Sequence, residues 1–125
     1  MEKPTLIGIA PQLVVPDVVK TAEYYRDVLG FAIVGYFMEP PVYAMVARDG
    51  IQVHFAKAGN DKTCTNAELG SISTDFVIWV PEIDAFFEEV RSRGAEIIQP
   101  IQLRVYGSRE FILADCNGFR ITVGD

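Results

Sequence analysis

The chemistry open to this 125-residue chain rests on a few side chains: one histidine, His54; the carboxylates Asp75 and Glu110; Arg120; the glutamines Gln12 and Gln52; and the lone tryptophan, Trp79. Imidazole titrates near neutral pH and a carboxylate partner fixes its tautomer, so His54 with Asp75 has the residue types of a general base and its orienting group. No nucleophile or oxyanion-hole motif accompanies the histidine, and a single imidazole on a sheet serves most simply as a hydrogen-bonding wall. Trp79 offers a flat ring that can stack on an aromatic ligand and attract a cation. Arg120, costly to bury unpaired, is expected to pair with Glu110, and Arg109 is expected to form a rim ion pair with the same carboxylate.

These side chains need elements to hold them. In VPDVVKTAEYYRDVLG the apolar residues Val18, Ala22, Tyr25, Val28 and Leu29 form a helical stripe, with Asp17 near its start and Gly30 at its end. A second helix is predicted in VPEIDAFFEEVRSRG, with Ile83, Phe86, Phe87 and Val90 as its stripe, acidic residues early and Arg91 and Arg93 late. The two segments echo one another. Val15-Pro16-Asp17-Val18 matches Val80-Pro81-Glu82-Ile83, and the run from Gly30 matches the run from Gly94. Each half continues into a strand and a hairpin, turning at Asp49-Gly50 and between Asp115 and Gly118. The chain therefore reads as two β-α-β-β-β modules, at about residues 5–57 and 74–125, joined by a polar linker at about 58–73.

Alternation sorts the strand residues by face. Ile51, Val53 and Phe55, Phe111 and Leu113, and Phe119, Ile121 and Val123 are expected to pack on the helices. The opposite faces then carry Gln12 and Val14, Gln52 and His54, Asp75, Val77 and Trp79, Glu110 and Ile112, and Arg120 and Thr122. Half the residues are apolar, enough for one compact domain. The net charge of −6 argues against a nucleic-acid partner, and no segment is long enough to span a bilayer. Cys64 and Cys116 lie in dissimilar contexts with no paired spacing, which points to a reducing, cytoplasmic setting.

The duplicated unit, with LVVPDVVKTAEYYRDVLGF at its start and YGSREFILADCNGFRITV at its end, resembles the glyoxalase I, bleomycin-resistance protein and extradiol dioxygenase superfamily, the vicinal oxygen chelate fold. The resemblance implies an α+β fold in which two tandem βαβββ modules form a curled mixed sheet around a cup-shaped cavity. Gln12, Gln52, His54, Asp75, Trp79, Glu110 and Arg120 would line that cavity. Metal-dependent members carry ligands at positions that fall here on Ala10, His54, Asp75 and Thr122, only two of which are plausible donors. The match in character is to the bleomycin-resistance branch, whose members bind a drug or natural product unaltered as homodimers that exchange strands or halves. The expectation is a metal-free, homodimeric, cytoplasmic protein that binds a small aromatic or cationic molecule, with the linker near residues 60–69 as the place of exchange. The alternative is a divergent metal-dependent lyase or dioxygenase that holds a divalent ion with His54, Asp75 and Glu110.

Overall fold

A computed structural model describes residues 3–60 and 62–125. The first half runs β1 (Gln12–Val15), α1 (Val18–Asp27), β2 (Ala32–Phe37), β3 (Tyr43–Arg48) and β4 (Ile51–Lys57). The second half repeats the order as β5 (Phe76–Trp79), α2 (Ile83–Ser92), β6 (Glu96–Leu103), β7 (Arg109–Ala114) and β8 (Arg120–Gly124). Each half forms a four-stranded mixed sheet, ordered β1-β4-β3-β2 and β5-β8-β7-β6, and neither closes into a barrel. The first strand of each half pairs in parallel with the last, while the other pairs are antiparallel.

Local chemistry sets the element boundaries. Asp17 is extended, and its carboxylate accepts from the amides of Val19 and Lys20 at 3.1 and 3.0 Å. A cap of this kind stabilises a helix by about 1 kcal/mol. The β3–β4 turn is carried by Asp49 and Gly50, both with positive φ (51° and 80°), as a tight two-residue hairpin requires. Burial follows the stripes: Val18, Ala22 and Tyr25 of α1 cover Ala44, Val46, Val53 and Phe55, and Ile83, Phe86 and Val90 of α2 join Phe111, Leu113, Ile121 and Val123. All of these residues belong to one buried cluster, so the two halves share a core. Ile51 departs from its expected place inside: at the strand end beside the turn it is half exposed.

Each helix also grips the hairpin of the other half. Tyr25 Oη donates to Asp115 Oδ2 at 2.7 Å, and Asn117 Nδ2 donates to Thr21 Oγ1 at 2.9 Å. At the other end of the seam, Arg48 donates to both oxygens of Glu89 at 2.7 and 3.1 Å and lies 5.1 Å from the centre of the Phe86 ring. Because the halves join through their helix sides, the opposite face of each sheet stays open, and Val14, Val77 and Trp79 are exposed there. Residues 3–11 form no regular structure, and Leu6, Ile7 and Ile9 in that arm are at least 95% exposed. Among the described residues no helix is long and apolar enough to cross a membrane.

Candidate functional site

On the open face of the first sheet, backbone register brings four polar side chains into line. Gln12 on β1 and Met45 on β3 both stand opposite His54 on β4, and Tyr43 and Gln52 flank them on the same face. Gln12 Nε2 donates to Tyr43 Oη at 2.8 Å, Tyr43 Oη lies 2.7 Å from His54 Nδ1, and His54 Nε2 lies 2.8 Å from Gln52 Oε1. The result is a continuous hydrogen-bonded row with both imidazole nitrogens engaged. Tyr43 was not singled out as part of this row from the sequence. The signal was present, however, because a two-residue turn at Asp49-Gly50 fixes the β3–β4 register and puts Tyr43 on the His54 face.

The matching face of the second sheet is built differently. Register places Val77, Glu110, Thr122 and Arg120 where the first half has Gln12, Tyr43, His54 and Gln52. Trp79 stands opposite Gly124, which in turn stands opposite Glu110. A Cβ on Gly124 would touch Trp79 Cδ1 at 3.6 Å and Glu110 Cγ at 3.5 Å, so the indole lies beside the carboxylate's stem across a bare backbone. The ring itself is 73% exposed, so it stands in solvent and not in the core. It also borders a groove of about 350 Å³ between the β3–β4 turn and the start of α2, whose apolar walls include Phe31, Ile51, Ile78 and Phe86. A second groove, of about 740 Å³, runs beside the linker and is lined by Gln12, Val14, Lys62, Asp75 and Phe119.

Several expected partnerships are replaced by others. Glu110 does not pair with Arg120 or Arg109; it takes Arg104 at 3.2 Å, and a hydrogen bond from the exposed Tyr106 raises that phenol above its ordinary range. Arg109 forms a two-pronged pair with Asp84 at 2.8 and 2.9 Å, because the first turn of α2 lies over the start of β7. The guanidinium of Arg120 is exposed and has no ion-pair partner among the described residues, so the burial cost that called for one does not arise. Asp75 is not the orienting carboxylate of His54. Its oxygens accept from the amides of Asn66 at 2.7 Å and Arg120 at 2.8 Å, tying the linker to β8.

The same geometry tests the metal positions implied by the resemblance, and they do not fit an ion. Ala10 has no donor atom, Thr122 Oγ1 is bonded to Thr74 Oγ1 at 2.6 Å, and both Asp75 oxygens are held by backbone amides. The set His54, Asp75 and Glu110 is not assembled either, since His54 lies on one sheet and the two carboxylates on or beside the other. The described residues hold no group of three His, Cys, Asp or Glu side chains placed to bind an ion.

Comparison with known proteins agrees with this architecture. The model of the Glyoxalase/Bleomycin resistance protein/Dioxygenase superfamily matches residues 8–123. Among solved structures, TioX from Micromonospora sp. ML1 is similar with a TM-score of 0.74 and 22% identity, over 93% of this chain and 95% of that one. A bleomycin-binding protein complexed with bleomycin gives 0.75 and 20%, over 96% and 98%. A glyoxalase-related enzyme from Clostridium phytofermentans gives 0.74 and 18%, over 99% and 98%. At these identities the likeness speaks for the fold alone. Among curated proteins no sequence matches the chain significantly.

Proposed function

Because the chain belongs to the Glyoxalase/Bleomycin resistance protein/Dioxygenase superfamily, we propose that it is a metal-free binding protein for a small aromatic or cationic molecule, an antibiotic or other natural product that it sequesters without altering. The observation that carries this reading is Trp79: a solvent-facing indole beside the Glu110 stem and an apolar groove is costly to leave bare and well suited to stack on a planar ligand. The hydrogen-bonded row on the other sheet supports it, because both nitrogens of His54 are engaged by the side chains of Tyr43 and Gln52.

The working unit in this proposal is a homodimer. Two open sheet faces and an arm with three aliphatic side chains in solvent offer apolar surface that a second copy would cover. The setting proposed is the cytoplasm, in keeping with two exposed, unpaired cysteines.

Trp79 is the only tryptophan, so its fluorescence reports the site without ambiguity. Titration with bleomycin and a panel of aromatic and cationic compounds should yield at least one that quenches Trp79 and raises the melting temperature. Saturation at about 100 times the dissociation constant would add about 2.7 kcal/mol of stability. Trp79→Ala should abolish the shift while leaving the fold intact. A panel in which nothing moves either signal removes the support for sequestration. A stoichiometric divalent ion in untagged protein, lost in His54→Ala, overturns the metal-free reading in favour of an enzyme.

A further inference from the structure

The groove beside Trp79 carries charge as well as apolar walls. It rounds the free edge of the second sheet at the end of β5, taking Ile78 from the helix side and the indole from the open side, and reaches Ile51 at the β3–β4 turn of the other half. Phe31 and Phe86 are buried in its wall, whereas Ile51 is half exposed and Trp79 stands in solvent. At about 350 Å³ it lies near the lower end of the roughly 300–1,000 Å³ that small-molecule pockets span, which suits a body of one or two rings.

Three charged side chains border these walls: Arg48, Asp49 and Glu82. Arg48 is already committed, since its guanidinium donates to Glu89 and to the carbonyl of Leu29. Asp49 has only the Nε of that same Arg48, 3.7 Å away, and its side chain is 90% exposed. Glu82 precedes α2 without bonding the helix amides, and it makes no ion pair among the described residues. The N-terminus of α2 adds about half a positive charge, less than the two carboxylates carry, so the groove favours a cation. Resting on the reading that Trp79 marks a ligand site, we propose that the ligand is a flat organic cation seated in this groove. Its ring body lies against Ile51, Ile78 and Trp79, and its ammonium or amidinium group is met by Asp49 from one half and Glu82 from the other. The charge of the ligand is thus read at the seam between the halves and not on the open sheet faces.

The probes are 2-naphthylmethylammonium and its neutral counterpart 2-naphthylmethanol, titrated into the full chain and followed by NMR of the isoleucine methyl groups and the single indole N–H. The ammonium should bind about fivefold tighter than the alcohol and lose about threefold in each of Asp49→Asn and Glu82→Gln, as solvent-screened ion pairs do. Ile51, Ile78 and Trp79 signals should move, while Ile112, on the open face of the second sheet, should not. Both carboxylates are exposed, and asparagine accepts the left-handed backbone that Asp49 holds at φ 51°, so the variants keep the fold. Equal affinity for the two probes, no binding of the ammonium, indifference to both substitutions, or movement of Ile112 with Ile51 and Ile78 unchanged would each overturn the cation seat. A panel compound that quenches Trp79 yet ignores Asp49→Asn and Glu82→Gln removes this seat and leaves sequestration standing, whereas a panel that never moves Trp79 removes sequestration itself.

Discussion

At the seam between the halves, Tyr25 of α1 meets Asp115 beside the β7–β8 turn, and Glu89 of α2 meets Arg48 beside the β3–β4 turn. Tyr25 and Glu89 hold the same place in the repeat, each five residues before the glycine that follows its helix. Their surroundings differ. Tyr25 is fully buried and Asp115 5% exposed, whereas the Arg48 and Glu89 side chains are each 29% exposed. In the buried clasp, a neutral phenol and the amides of Asn117 and Phe119 satisfy the carboxylate, and burial still pushes Asp115 above its usual range. In the half-exposed clasp, hydrogen bonds from Arg48 hold Glu89 below its usual range. A duplicated framework repeats positions, and the water left at each position decides which polar pair it can hold.

The sharpest way to break this contrast is Tyr25→Ala. It removes a ring packed 4.8 Å from Phe55 and should cost about 4 kcal/mol by urea unfolding, against about 1 kcal/mol for Glu89→Ala. Asp115→Ala should follow at about 3 kcal/mol, because it strands the Tyr25 hydroxyl, the buried amide of Phe119 and the part-buried amide of Asn117. Tyr25→Phe keeps the packing and leaves one carboxylate oxygen unpaired, which should cost about 2 kcal/mol. The smallest effects are the pH dependences, and they should run in opposite senses. Burial raises Tyr25 well above its ordinary value, so its contribution is complete below pH 10 and is lost as pH rises, and the Tyr25→Phe penalty should shrink in alkali. Glu89 is lowered, so its contribution is present above pH 4.5 and lost as pH falls, and the Glu89→Ala penalty should shrink in acid. Penalties that fade at the same end of the pH scale would refute the contrast.

Much of the fold was legible in short-range patterns. The 3.6-residue stripes of Val18 to Leu29 and Ile83 to Val90, the Asp49-Gly50 turn and the repeated Val-Pro-acidic helix starts each act within a few residues, and each element formed where its signal lies. Alternation likewise put His54, Gln52 and Gln12 on one face and Trp79 and Glu110 on the corresponding face of the other sheet. Partnerships were not legible in the same way. Arg109 reached Asp84 because α2 crosses β7 at a place no spacing encodes, Glu110 took Arg104 from the β6–β7 hairpin, and Asp75 was held by the amides of Asn66 in the linker and Arg120 at the start of β8.

The sequence by itself determined the duplicated α+β plan, its hairpins and which strand residues share a face, since helix and strand periods and turn chemistry are local. Only the tertiary structure decided that the halves meet through their helices, that Trp79 stands in solvent and that Tyr43 completes a row with His54. Those outcomes depend on which distant groups arrive within hydrogen-bonding reach and how much water remains beside them, and side-chain spacing along a chain carries neither quantity.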